Sequence, residues 1–390
     1  MAWLGRMTPR DPAEPHRAAT PLELFFDLCF VVAIAAAASK LHHGLAHGQV
    51  WESVGAYGLV FFAIWWAWMN LTWFASAYDC GDGFYTVNVF LQMAGVLVIA
   101  AGVPPAFEHR EFGTVTLGYT IIRVAMIAQW LRAAAADPAR RTTAFRYAFG
   151  LLVCQTAWIV LFFTATPREW VIGWCFLVPA ELLVPVWAER ALPTPWNAHH
   201  IAERYGLLTL IVLGESVLAS TVAIQAALET EHLTGEIARA IAAGMLILFS
   251  MWSLYFRHPA ASMLTSMQVA FEWGYAHLFV FASAAAVGAG LALYADFAAG
   301  HAHIDRTAAA APALIAAAVF VILLWRLYLP VRGDALTTFA SWVGAALVVS
   351  AMWSPWPMLS GGIVLAVLAT VTAAARPGSH VPSHADPAAT

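Results

Sequence analysis

Apolar residues recur in runs of nearly twenty from Leu22 to Ala375, and polar residues collect in the short intervals between them. Each run is long enough to cross a bilayer core of about 30 Å as a helix. The pattern predicts twelve helices, at 22–41, 52–75, 84–103, 112–133, 145–165, 169–189, 200–223, 236–257, 268–295, 308–329, 335–353 and 357–375. Breakers mark several of the joints: Pro104-Pro105, Asp137-Pro138, Pro167, Pro193 with Pro195, His258-Pro259, Pro330, and Pro355 with Pro357. The predicted fold is an all-α integral membrane protein, with no interval long enough for a soluble domain. Residues 1–20 read as a polar, proline-bearing N-terminal segment, 21–376 as the transmembrane domain, and 377–390 as a tail of disordered composition.

Composition strengthens this picture. Hydrophobic residues make up 61% of the chain and charged residues 11%, where soluble proteins carry about 25% charged residues. The net charge of −4 is spread thinly along loops and gives no basis for nucleic-acid binding. Residues 1–20 lack the apolar core and small-residue cleavage site of a signal peptide, so the first run is expected to remain as a helix. Cys29, Cys154 and Cys175 fall in apolar runs and Cys80 in a short loop, without CxxC or Cys/His ligand spacing. They read as small buried hydrophobes, and neither a metal nor a cofactor is expected.

Basic residues orient the chain. With the N-terminus cytoplasmic, twelve arginines (6, 10, 17, 132, 140, 141, 146, 190, 257, 326, 332 and 376) fall on inner segments. Five basic residues (Lys40, Arg110, Arg168, Arg239 and Arg306) fall on outer ones. That bias predicts a bacterial inner-membrane protein with both termini in the cytoplasm. An internal echo also appears: Glu23 and Glu203 open helices 1 and 7, Trp66 and Trp252 lie 186 residues apart, and Thr142-Thr143 answers Thr337-Thr338. Halves at 21–192 and 198–376 would be two parallel six-helix units, a plan known among transporters.

Three groups of residues carry a family likeness. They are Pro21-Leu-Glu23-Leu-Phe-Phe-Asp27-Leu, then Trp65-Trp66-Ala-Trp68 with Thr72-Trp73-Phe74 and Asp79, then His200-Ile-Ala-Glu203-Arg204-Tyr-Gly206-Leu with Leu213-Gly214-Glu215-Ser216. The chain resembles the bacterial low temperature requirement A family from about Pro21 through the last predicted helix. The resemblance implies a multi-helix integral membrane protein and no particular substrate. The polar position that follows the first motif in the family is Ala36 or Ala37 here.

Charges in lipid cost several kcal/mol by most estimates and persist where protein buries them for a purpose. Glu23 and Asp27, four apart, share one helical face, with Asp27 about 6 Å deeper. Glu23 has a simpler reading as a favourable charge at a helix N-terminus. Arg204 and Glu215 are eleven residues apart and share a face of helix 7, separated by about 16 Å. Arg123 sits midway along helix 4, where Glu215, Asp27 and Glu181 are its candidate partners. Glu181 lies between Pro179 and Pro185, which are expected to break helix 6 near the midplane. Helix 9 adds Glu272 and His277, the latter suited by type to proton handling, with a hydrogen-bonded packing histidine as the plainer reading. Six intramembrane carboxylates (Glu23, Asp27, Glu181, Glu203, Glu215 and Glu272) against two arginines favour a cation or proton pathway. The loop histidines 42, 43, 47, 109, 232, 301 and 303 show no fixed ligand geometry.

Catalytic motifs such as GxSxG, HExxH or a phosphate-cradling glycine loop are absent from the sequence, so no enzymatic activity is expected. The expected function is transport of a small solute or cation across the lipid bilayer, with or without proton coupling. In that reading Asp27 and Glu215 bind the ion or proton, Arg123 and Arg204 gate them by pairing, and Glu23, Glu203 and Glu181 line the path. The alternative is a non-transporting membrane sensor or assembly protein in cold or envelope stress. Oligomeric state is not legible.

Overall fold

The computed structural model describes residues 3–15, 17–230, 235–257, 260–332 and 335–374. His232, His258, Pro259, Arg376 and the tail at 377–390 lie outside the described residues. The described chain is all-helical: α1 (Pro21–Ala46), α2 (Val50–Tyr78), α3 (Gly83–Glu108), α4 (Gly113–Ala136), α5 (Arg141–Thr164), α6 (Pro167–Glu189), α7 (Ala198–Thr230), α8 (Gly235–Phe256), α9 (Met267–Ala298), α10 (Arg306–Arg332), α11 (Ala335–Ser350) and α12 (Pro357–Ala374). Twelve helical segments are long and apolar enough to cross a membrane. The protein is an all-α multi-pass membrane protein.

Local sequence explains where helices begin. Thr20-Pro21-Leu22-Glu23 is a capping box: Glu23 N–H donates to Thr20 Oγ1 at 3.3 Å, and Thr20 N–H donates to Glu23 Oε2 at 2.7 Å. Proline follows the cap, where its missing N–H costs nothing. Thr166 and Glu169 repeat the device at the start of α6.

Two expectations about proline are corrected. Pro104 and Pro105 lie inside α3, which continues to Glu108, and α6 runs unbroken through Pro179 and Pro185. A proline frees a carbonyl one turn back, and in membrane helices a neighbour can take up the loosened backbone. Here Pro185 frees the Glu181 carbonyl, and the Tyr275 hydroxyl of α9 donates to the adjacent Leu182 carbonyl at 2.8 Å, holding the same turn.

Much of the helix pairing recurs with an offset of six: α1 packs on α2 and α3, α3 on α4, α4 on α5 and α5 on α6, and α7 to α12 make the corresponding contacts. The match is incomplete, because α8 packs extensively on α12 while α2 and α6 make no comparable contact. The crossing of α3 on α4 depends on glycine. A Cβ on Gly118 would lie 2.5 Å from the Gly95 carbonyl oxygen, and one on Gly95 would lie 2.7 Å from that of Gly118.

The N-terminal segment straps one end of the bundle, here called the N-terminal face. Arg17 donates to the carbonyls of Ser76 and Ala75, and Asn197 Nδ2 donates to those of Pro12 and Glu14 at 3.0 Å each. Asp82 caps α3 through Tyr85 N–H at 2.9 Å, accepts Gly5 N–H at 2.7 Å and pairs with Arg132. Burial pushes the Asp82 carboxyl up, but Arg132 and the two N–H groups outweigh it and bring it down to about 2. A carboxyl held below its unfolded value of about 3.9 stabilises the fold above that value. The contribution, about 2 kcal/mol, disappears as pH falls through about 2. The melting-temperature gap between wild type and Asp82→Asn should therefore be constant above pH 5 and narrow between pH 4 and pH 2, measured in detergent. A gap that widened on acidification would contradict this account.

Candidate functional site

Two buried charge clusters stand on opposite sides of α2. In the first, α1 and α7 meet through Arg204. Its guanidinium donates to Asp27 from Nη2 at 2.6 Å and from Nε at 3.1 Å, and its Nη1 lies 3.1 Å from Glu23 Oε1. His200 Nε2 lies 3.0 Å from the same Glu23 oxygen, and Arg17 is 3.8 Å away. The Trp68 indole N–H of α2 donates to Asp27 Oδ1 at 2.7 Å. Asp27, His200, Arg204 and Trp68 are completely buried, so this cluster is sealed.

In the second cluster α4 meets α6. Arg123 Nη2 donates to Glu181 Oε2 at 2.6 Å, and the Trp66 indole N–H donates to the same oxygen at 2.9 Å. Trp158 of α5 donates to the other oxygen at 3.2 Å. Asn70, one turn along α2 from Trp66, lies 3.4 Å from Arg123 through its Oδ1, and the Arg123 guanidinium sits 5.0 Å from the Tyr119 ring centroid. Four helices thus close on one ion pair.

That second layer separates two cavities. One, of about 60 Å³, is lined by Phe62, Trp66, Tyr119, Gln155, Trp174 and Glu181, among others. It reaches Phe112, Thr116 and Trp170 at the starts of α4 and α6, the ends farthest from the N-terminal face. The other, of about 30 Å³, is lined by Trp66, Asn70, Trp130, Tyr147, Glu189 and Met267, and approaches the N-terminal face. Trp66 belongs to both walls. A cavity needs about 10–15 Å³ to hold a water, so each can hold more than one. Glu189, buried in the second, accepts the hydroxyls of Tyr147 at 2.8 Å and Thr194 at 2.9 Å and the Thr194 N–H at 2.7 Å.

A cavity among the later helices lacks an acid. It measures about 60 Å³, lies among α8, α10, α11 and α12, and is lined by Leu254, Arg257, Trp325, Tyr328, Ser341 and Thr372, among others.

The sequence-selected residues divide accordingly. Glu23, Asp27 and Arg204 come together, and so do Arg123 and Glu181. Glu215 joins neither: it is half-buried, and among the described residues no hydrogen bond or ion pair reaches it. Glu203 is exposed and accepts only Ala19 N–H at 3.2 Å, and Glu272 is exposed. His277 Nδ1 lies 2.7 Å from the Trp273 carbonyl, which can only accept, so Nδ1 carries the proton and Nε2 accepts from Tyr255 O–H at 3.0 Å. That is a packing histidine with both nitrogens occupied. The three sequence-selected acids that are fully buried, Glu23, Asp27 and Glu181, face Arg17, Arg204 and Arg123. The acid excess that pointed to a cation pathway is therefore absent from these two clusters. Reasoning from charge overlooked Arg17, His200, Glu189 and the tryptophan N–H donors. The Thr20-Pro21-Leu22-Glu23 cap and the spacing of Trp66 and Trp68 were the available signals. Among the described residues no three His, Cys, Asp or Glu side chains converge as a metal site.

Comparison with known proteins agrees with this architecture. An uncharacterised protein of Rhizobium meliloti (strain 1021), RA0937, is 29% identical over 218 residues, which is 54% of this chain and 52% of that protein. The aligned part thus spans about half the length of the relative. No solved structure matches the chain. The family model described as bacterial low temperature requirement A protein matches residues 18–375, which takes in all of α1 through α12, and the chain belongs to that family.

Proposed function

We propose that the protein is a transporter of a small solute, and that its path is the crevice among α2, α4, α5 and α6. One observation carries this reading: two cavities approach from opposite ends of the bundle and stop at the same layer, Trp66 with the Arg123–Glu181 pair. In this reading the structure is an occluded state. Passage requires Trp66 to move and the ion pair to open, and protonation of Glu181 is the simplest event that would release Arg123. The bias of arginines supports an N-terminal face that looks into the cytoplasm from a bacterial inner membrane.

The sensor or assembly reading draws on the first cluster. Asp27 and Arg204 are sealed and line neither cavity of the crevice, which suits a lock between the halves. A transporter also needs such a lock, so the two readings part at Glu181.

Cysteine labelling tests the path. In a background lacking the four native cysteines, Thr116→Cys should react with a membrane-impermeant maleimide from the face opposite the N-terminus alone. Met267→Cys should react from the N-terminal face alone. Reaction of either from both faces would describe an open pore, and reaction of neither would remove the aqueous path.

A further inference from the structure

The cavity above Glu181 has a chemistry that names a class of ligand. Its wall is aromatic: Phe62, Trp66, Tyr119, Trp158, Trp170 and Trp174 surround it. Aromatic faces carry negative potential and attract a cation held over them. Glu181 is the charged side chain in that wall, and Arg123 sits behind it, outside the lining. Inside the cavity a molecule meets rings and a carboxylate, with no guanidinium or ammonium in the lining; the neighbouring opening at Phe112 and Trp170 carries Arg110 together with Glu111.

A second, independent observation gives the ligand a donor. Gln155 is 5% exposed and lines the cavity, and its Oε1 has no partner. The orientation of this amide is fixed by its neighbours. Thr120 O–H donates to the Thr116 carbonyl at 2.8 Å, so its oxygen can only accept, and the Gln155 atom 2.8 Å away must be the NH₂ group. The carbonyl oxygen is therefore the unpartnered end, itself buried at the cavity wall, so a ligand reaches it when the amide turns toward the cavity. A buried acceptor without a donor is rare and calls for water or a ligand. The Trp174 indole N–H, also unpartnered, leaves room for a water or hydroxyl beside that ligand.

We infer that this cavity binds a small organic ammonium ion, its N–H directed to Gln155 Oε1 and its charge held chiefly by the ring faces, with Glu181, already paired with Arg123, the one carboxylate beside it. A quaternary ammonium would satisfy the rings but leave Gln155 without a donor, and an anion would meet the Glu181 carboxylate and the ring faces with one neutral donor, the Trp174 N–H. The inference deepens the transport reading, because it names the solute class at the same site.

Binding can be read without transport, from tryptophan fluorescence and calorimetry of the purified protein. The probes are butylammonium, butan-1-ol and butyrate, matched in chain. Butylammonium should bind saturably and at least tenfold more tightly than butan-1-ol, with no binding of butyrate. Gln155→Leu, which keeps volume and touches no ion pair, should weaken butylammonium about tenfold. The joint Arg123→Gln, Glu181→Gln variant should reduce the preference for the amine over the alcohol. Equal affinity for amine and alcohol, preference for butyrate, or unchanged affinity in folded Gln155→Leu would each overturn the inference. Butylammonium binding with no solute uptake by active liposomes would leave it standing and sink the transport reading. Uptake of some other solute with no butylammonium binding would do the reverse.

Discussion

Arg204→Met should be among the most destabilising single substitutions in this chain, costing about 3–5 kcal/mol. The guanidinium holds two carboxylates at once, with Asp27 at 2.6 Å and Glu23 at 3.1 Å, and all three groups are buried. Its removal strands Asp27 with one remaining neutral donor, the Trp68 N–H. Glu23 would retain His200 and the more distant Arg17. The cost of breaking a buried pair comes mostly from the charge left behind, so the double variant Asp27→Asn, Arg204→Met should recover a large part of the loss. Thermal unfolding of the two single variants and the double in detergent gives the coupling energy as a double-mutant cycle. A coupling under about 0.5 kcal/mol would mean that the contact is incidental to the fold.

Much of this fold is legible in the sequence, because a bilayer-spanning helix must be a long apolar run and little else can be. The twelve runs carry that requirement openly. Proline misled at α3 and α6 for a related reason: a missing hydrogen bond breaks a helix in water, but neighbours compensate for it in a packed membrane bundle. The site was legible only in its members. Periodicity tells that Glu23 and Asp27 share a face, and that Arg204 and Glu215 do, but not which helix each face meets. Arg204 turns to α1, while Glu215, three turns further along α7, meets no polar partner. Tryptophan hides the rest. Trp66 and Trp68 count as bulk in any hydrophobic pattern, yet their N–H groups fix Glu181 and Asp27 on opposite sides of the same helix.

The two clusters also differ in what surrounds them, and that difference bears on function. The Asp27 cluster joins the first half to the second and has no room beside it in either crevice cavity. The Glu181 cluster lies within the first half, with space above and below. The cavity among α8, α10, α11 and α12 has no acid in its lining but does include Arg257, and α8 packs directly on α12 where α2 and α6 make no comparable contact. The Arg123–Glu181 pair therefore stands where that direct helix contact is missing, and a structural role and a transport role both fit its place.

Glu181 and Arg123 supply the test that separates a path from a lock. Glu181→Gln alone leaves Arg123 buried and unpaired, so a loss of stability of about 3–5 kcal/mol is expected and any loss of flux is uninformative. Neutralising both, with Arg123→Gln and Glu181→Gln together, removes the stranded charge and keeps polar groups beside Asn70, Trp66 and Trp158. That double variant should melt within a few degrees of wild type. If the pair is the gate of a transport path, solute uptake into proteoliposomes should nevertheless fall at least 100-fold, equivalent to about 2.7 kcal/mol at 1.36 kcal/mol per decade. A stable double variant with wild-type uptake would make the pair a structural lock and move the path elsewhere. The decisive quantity is thus the separation between stability and flux, because a charge pair retained only for the fold would lose both together or neither.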